Sequence, residues 1–161
     1  MKHDKQYLRM AFEWAKCSYA IRRKVGCLIV NKGMIVSDGY NGTPSGFPNV
    51  CEYAVFGSQR REPSTIDELK LLQCQGWKLV TYPYVLHAES NAITKLAKHG
   101  NSADGATLYV TDEPCIECAK LIIQSGIKRV VYSRSYRTHD GLTLLSTANI
   151  EIMQFSETSL F

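Results

Sequence analysis

A chain of 161 residues with 19 Lys and Arg, 15 Asp and Glu and a formal net charge of +4 suits a single domain around one core. The basic excess is too mild for a dedicated nucleic-acid surface, though it fits a protein that handles phosphorylated small molecules. No apolar run approaches the ~18 residues of a membrane span.

The first residues, Met1-Lys2-His3-Asp4-Lys5-Gln6-Tyr7, hold no apolar signal core. Six cysteines with no sign of secretion point to a reducing, cytoplasmic setting in which thiols stay available for metal. Tyr7, Leu8, Ala11, Phe12, Trp14, Ala15 and Tyr19 recur at roughly helical spacing, which predicts an amphipathic helix over 4–20. Residues 25–30 and 34–37 flank Asn31-Lys32-Gly33 and read as a β-hairpin. Residues 39–46, with three glycines and Pro44, read as a loop. Residues 51–84 are the least regular stretch. Thr65-Ile66-Asp67-Glu68 resembles a capping box there and predicts one short helix.

From His87 onward the pattern sharpens. Ala88, Ala92, Ile93, Leu96 and Ala97 make one helical face, with Gly100 as its stop. Residues 107–111 read as a strand and 115–125 as a helix entered at Pro114 and ended at Gly126. A strand over 128–133, a short helix over 142–148 and a strand over 150–155 complete the chain. The order α-β-β-(insert)-α-β-α-β-α-β predicts an α/β fold, a three-layer α/β/α sandwich around one mixed five-stranded sheet. The whole chain, 1–161, is then one domain with an irregular insert at about 51–84.

Two segments carry chemistry: His87-Ala88-Glu89 and Pro114-Cys115-Ile116-Glu117-Cys118. His87, Cys115 and Cys118 supply one imidazole and two thiolates. That set holds Zn²⁺ with three protein ligands and leaves the fourth position to water. The i, i+3 spacing of the cysteines at a helix start places both sulfurs on one side, and a helix N-terminus favours thiolate over thiol. Glu89 lies too close to His87 to be idle. It is near enough to move protons for a metal-activated water without itself binding the metal. H-x-E followed by P-C-x-x-C is the signature of zinc-dependent nucleobase deaminases. A redox CxxC pair has no use for the upstream His and Glu, and a closed structural zinc site lacks a fourth ligand at natural spacing.

Three longer segments narrow the resemblance. His87-Ala88-Glu89-Ser90-Asn91-Ala92-Ile93 resembles the HAExNAI segment of deoxycytidylate (dCMP) deaminases, and residues 111–120 resemble their T-x-x-P-C-x-x-C-x-K stretch. Gly39-Tyr40-Asn41-Gly42-Thr43-Pro44-Ser45-Gly46 is similar to their GYNGxPxG loop. The resemblance runs from about residue 7 to 155. It implies hydrolysis of dCMP to dUMP and ammonia, which supplies dUMP for thymidylate synthesis, with zinc on His87, Cys115 and Cys118 and Glu89 as the catalytic residue. It also implies substrate contacts from Asn41, Ala88 and Tyr136, and a 5′-phosphate held by Arg22 and Lys24, with Arg137 and His139 as further candidates. Family members are commonly homohexamers regulated by dCTP and dTTP with Mg²⁺, which implies an effector loop at Gly42 and Thr43. The spacing of Cys17, Cys51 and Cys74 argues against the second, structural zinc of some viral members. Enzymes for dCTP, for a 5-modified dCMP, or for tRNA adenosine share the metal motif and stay open as alternatives.

Overall fold

A computed structural model describes residues 2–161. Eight strands and five helices follow in the order α1 (Asp4–Ala15), β1 (Gly26–Asn31), β2 (Met34–Tyr40), β3 (Glu52–Phe56), β4 (Gln59–Arg61), α2 (Ile66–Cys74), β5 (Lys78–Thr81), α3 (Ala88–Lys98), β6 (Thr107–Asp112), α4 (Ile116–Gln124), β7 (Arg129–Arg134), α5 (Asp140–Thr147) and β8 (Glu151–Gln154). The main sheet has the order β2-β1-β6-β7-β8. It is mixed: β1 runs antiparallel to β2 and β6, while β6, β7 and β8 are parallel. Each parallel connection is a helix, as a crossover requires.

Period-two alternation divides the core between the two faces of this sheet. Cys27, Ile29, Leu108, Val110, Val130 and Tyr132 face α3, α4 and α5, where Ala88, Ala92, Leu96, Ala119, Ile122 and Leu145 meet them. Leu28, Val30, Tyr109 and Val131 face the other way, onto Leu8 and Ala11 of α1 and onto Leu160 near the C-terminus. The three-layer sandwich expected from the sequence is therefore present, with α1 covering one face and three helices the other. Among the described residues no helix is long and apolar enough to cross a membrane.

The structure corrects three local expectations. The first helix stops at Ala15 rather than running to residue 20, and Ser18, beyond it, turns to donate to the Asn41 carbonyl at 2.7 Å. Gly39 and Tyr40 belong to β2 and not to the loop that follows. The insert is regular. β3 pairs antiparallel with both β4 and β5 in a separate three-stranded sheet, and α2 packs Leu69 against Val50, Ala54 and Leu79. The expected helix start is real: the Thr65 hydroxyl accepts from Glu68 N at 3.2 Å, and Glu68 Oε2 accepts from Ser64 N at 3.0 Å.

Candidate active site

The putting-together of the site begins with backbone. His87 is extended (φ −75°, ψ 157°) and caps α3; Cys115 is extended (φ −71°, ψ 169°) and caps α4. Both helices thus present their N-termini, and their positive dipole ends, to the same place. The segment before α3 is held by a two-bond bridge: Gly42 N donates to Leu86 O at 3.1 Å and Leu86 N to Gly42 O at 2.8 Å. Asn91 Nδ2 donates to Tyr40 O at 2.7 Å and fixes the next turn. Gly39 lets α3 come this close, because a Cβ there would lie 2.3 Å from the Ala88 carbonyl oxygen. The glycine-rich loop is therefore a mechanical support for His87.

His87 Nδ1 lies 3.4 Å from Cys115 Sγ and 3.4 Å from Cys118 Sγ. A tetrahedral zinc with Zn–S of about 2.3 Å and Zn–N of about 2.0–2.1 Å separates its nitrogen and sulfur ligands by about 3.5 Å. The three donors fit that ion without rearrangement, and they form a metal-binding group whose ligand atoms all lie within 4.8 Å of one another. The electrostatics agree. A hydrogen bond from Cys118, opposed by burial and helped by His87, holds the Cys115 thiol down at about 3, while that same bond and burial push Cys118 upward. Thiolates bind a cation, and metal binding at such a pair releases protons. A hydrogen bond with Cys115 raises His87.

Glu89 is 4% exposed. Burial lifts its carboxyl to about 7, against the pull of its own backbone N–H and of His87, and it also contacts Cys118. An acid poised near neutrality can both take and return a proton.

A cavity of about 620 Å³ opens onto this cluster. His87, Ala88, Glu89 and Cys115 line its floor, Asn41, Arg22 and Arg23 one side, and Tyr136 and Arg137 another. The structure treats the expected contacts unequally. Asn41 reaches the cavity wall, but its amide is used by backbone: Oδ1 accepts from Val25 N and Nδ2 donates to Arg23 O, both at 2.8 Å. Arg22 lines the cavity and reaches Thr81 Oγ1 at 3.1 Å. Lys24, expected beside the phosphate, is not among the lining residues, and its ammonium donates to Lys16 O at 3.4 Å. His139 is likewise absent from the lining and bonds to Glu113.

Sequence reasoning missed Arg23, Glu52 and Glu113, all cavity-lining. Arg23 is fixed by Asp112 at 2.5 Å, and Asp112 is held from its other oxygen by Arg134 Nε at 2.6 Å. Glu52 accepts from Ile21 N at 3.1 Å and Arg22 N at 3.2 Å. The available signal was two acids, Asp112-Glu113, at the end of a strand buried on both faces. Gly42 and Thr43 line a different cavity of about 820 Å³, together with Tyr19, Lys95, Lys98 and His99. The Thr43 hydroxyl is buried and unpartnered there.

Comparison with known proteins agrees with this geometry. Residues 1–134 match the model of the cytidine and deoxycytidylate deaminase zinc-binding region. The deoxycytidylate deaminase of Enterobacteria phage T4 is 35% identical over 95% of this chain and 90% of its own. The human deoxycytidylate deaminase is 36% identical over 92% and 77%. The crystal structure of dCMP deaminase from the cyanophage S-TIM5 in complex with dCMP and dUMP superposes with a TM-score of 0.74 at 34% identity, over 96% of this chain and 97% of that one. Motif, geometry and relatives coincide, and the chain belongs to the cytidine and deoxycytidylate deaminase family, with His87, Cys115 and Cys118 grouped so that they could hold a metal ion.

Proposed function

We propose that the protein hydrolyses dCMP to dUMP and ammonia. The observation that carries this reading is the convergence of His87, Cys115 and Cys118 at 3.4 Å with a buried Glu89 beside them, on the floor of a cavity flanked by arginines. Relatives named deoxycytidylate deaminases, similar along nearly the whole chain, support the choice of substrate.

Zinc, when held by these three residues, supplies the polarisation that makes water a nucleophile at neutral pH. Glu89 accepts the proton of the attacking water and delivers it to ring N3 as C4 becomes tetrahedral. It then takes the proton of the C4 hydroxyl and passes it to the exocyclic amine, so that the C4–N bond breaks, the C4 carbonyl forms and ammonia leaves. Ala88, fully buried at the head of α3, offers backbone at the cavity floor. Tyr136 closes one side of the base and sugar region, and Arg22 and Arg137 hold the 5′-phosphate. Asn41 positions the basic turn through its two backbone bonds.

The effector reading belongs to the second cavity. Gly42 and Thr43 with Lys98 offer a buried hydroxyl and a cation, beside Lys95, which is paired to Asp38 at 2.6 Å, a set suited to dCTP or dTTP with Mg²⁺ in a cytoplasmic homo-oligomer. Ammonia release by zinc-loaded protein from dCMP, deoxycytidine, CMP and dCTP, each with and without added dCTP or dTTP, tests both parts. Turnover of dCMP far above the others is expected. Absence of dCMP turnover in zinc-replete protein removes the reading.

A further inference from the structure

Residues 135–139 join β7 to α5 with no helical or strand bonding of their own. They carry Tyr136 and Arg137 to the cavity, and Arg137 Nη2 donates to Tyr136 Oη at 3.0 Å. His139, the N-cap of α5, makes no side-chain cap bond. Something outside the segment must hold it.

That anchor is Glu113, whose side chain is fully buried. Its N–H donates to Arg134 O at 2.8 Å, extending the β6–β7 pairing by one step. Its Oε2 accepts from Tyr136 N at 3.2 Å. His139 Nδ1 lies 2.9 and 3.1 Å from the two carboxylate oxygens; since a carboxylate only accepts, Nδ1–H donates. The next turn is seated by close approach. A Cβ on Gly141 would lie 2.1 Å from Pro114 O, so α5 rests directly on the backbone that leads into Cys115. One buried carboxylate therefore ties Tyr136 and His139 to the end of the strand that leads to Cys115 and Cys118, while Gln154 Nε2 donates to Ser135 Oγ at 3.3 Å at the start of the segment.

We infer that Glu113, with His139, is a positioning residue for substrate binding: it holds the 135–139 segment so that Tyr136 and Arg137 face the nucleotide. This rests on the assignment of Tyr136 and Arg137 as nucleotide contacts. Glu113 is outside the metal-binding group of His87, Cys115 and Cys118, and its carboxylate is bonded to Tyr136 N and His139, so its effect falls on the nucleotide, through the phosphate above all.

The test is steady-state deamination of dCMP and of deoxycytidine by zinc-loaded parent, Glu113→Ala, Glu113→Gln, His139→Ala, Tyr136→Phe and Arg137→Ala, with zinc content measured for each. Loss of a buried charged hydrogen-bond anchor predicts that Glu113→Ala raises the dCMP KM by about tenfold and moves kcat by less than about threefold. Deoxycytidine kcat/KM falls by less than that of dCMP, because it loses only the Tyr136 contact and never had the Arg137 phosphate contact. Glu113→Gln restores KM, since its amide oxygen still accepts from Tyr136 N–H. His139→Ala gives a smaller rise of about threefold, and, being exposed, it decides the matter if Glu113→Ala does not fold. An unchanged KM in both Glu113→Ala and His139→Ala, or an equal loss on the two substrates, overturns the inference. If Tyr136→Phe and Arg137→Ala raise KM while the Glu113 and His139 variants do not, the anchor alone is wrong. If none of the four does, the assignment of Tyr136 and Arg137 falls with it.

Discussion

Two buried polar clusters, one around the start of β7 and one beyond the end of β6, solve the problem of buried charge in opposite ways. Near the start of β7, Arg129 donates to both oxygens of Asp4 at 2.8 and 2.9 Å and to Glu151 at 2.7 Å, while Tyr109 donates to Asp4 at 2.7 Å. Beyond the end of β6, Glu89 and Cys118 are packed away from water, with Cys115 half-buried beside them, among donors that stop short of neutralising them. Burial opposes ionisation in both. At Asp4, bonds from Arg129 and Tyr109 outweigh it and hold the carboxyl at about 2; at Glu89 burial prevails and the carboxyl rises to about 7. The closed cluster is complete within the protein and serves the fold. The open one is complete only with a cation, and serves chemistry.

Removing the metal breaks this contrast most severely. A strong zinc chelator is expected to abolish turnover and lower the thermal midpoint, and added zinc to restore both; the midpoint responds because an ion that binds only the folded chain stabilises it by mass action. A chelated protein with full activity would contradict the assignment of the open cluster. Cys118→Ser is expected to behave as the chelated protein does, with zinc content as the check.

Glu89→Gln keeps the shape of the site and removes the proton carrier. A fall in kcat of about 10³ is expected, within the usual range for general acid–base residues. Zinc content and the dissociation constant for dUMP stay near the parent's. A variant that kept its kcat would show that another group moves the proton.

In the closed cluster, Asp4→Asn is expected to cost about 2–3 kcal/mol in urea unfolding at neutral pH, with kcat/KM unchanged. The pH dependence follows from the direction of the Asp4 shift. Its folded carboxyl titrates lower than the unfolded one, so its stabilisation is complete above about pH 4 and lost as pH falls through about 2. The gap between parent and variant is therefore constant from pH 7 to about 5 and narrows on further acidification. A gap that widened in acid would reverse the sign assigned to the pair.

The difference between the clusters was only half visible in the sequence. The open one is built from two local pairs: His87 and Glu89 share a helix start and Cys115 and Cys118 another, so each motif is legible in the sequence, while the fold brings the two helix starts together. The closed one joins residues 4, 109, 129 and 151, and no local spacing announces it. The same division runs through the fold. The hairpin turn at Lys32-Gly33, both with positive φ (50° and 81°), and the helices after His87 and Pro114 follow from neighbouring residues. The small sheet was missed because β3 and β5 are short, and their pairing, Glu52 with Thr81 through Val55 with Lys78, spans the whole of the insert. Glu113 was passed over because its partners, Tyr136 and His139, come more than twenty residues later.

The basic turn 22–24 shows where composition ends and geometry begins. Three cations stand in a row, Arg22-Arg23-Lys24, and a phosphate needs only those that face it. Arg23 is committed to Asp112, Lys24 points to Lys16 O, and Arg22 reaches across the cavity edge to Thr81. Glu52 accepts from the backbone N–H groups of Ile21 and Arg22 and so fixes the orientation of the turn from which Arg22 reaches the cavity. Arg22→Ala is then expected to raise the dCMP KM by about tenfold and to leave deoxycytidine kcat/KM unchanged, the behaviour of a lost charge-assisted phosphate contact. Lys24→Ala, two residues away and of the same charge, is expected to change neither by more than about twofold. Equal effects of the two substitutions would mean that the cavity senses only the summed charge of the turn, and that the orientation imposed by Glu52 has no part in recognising the nucleotide.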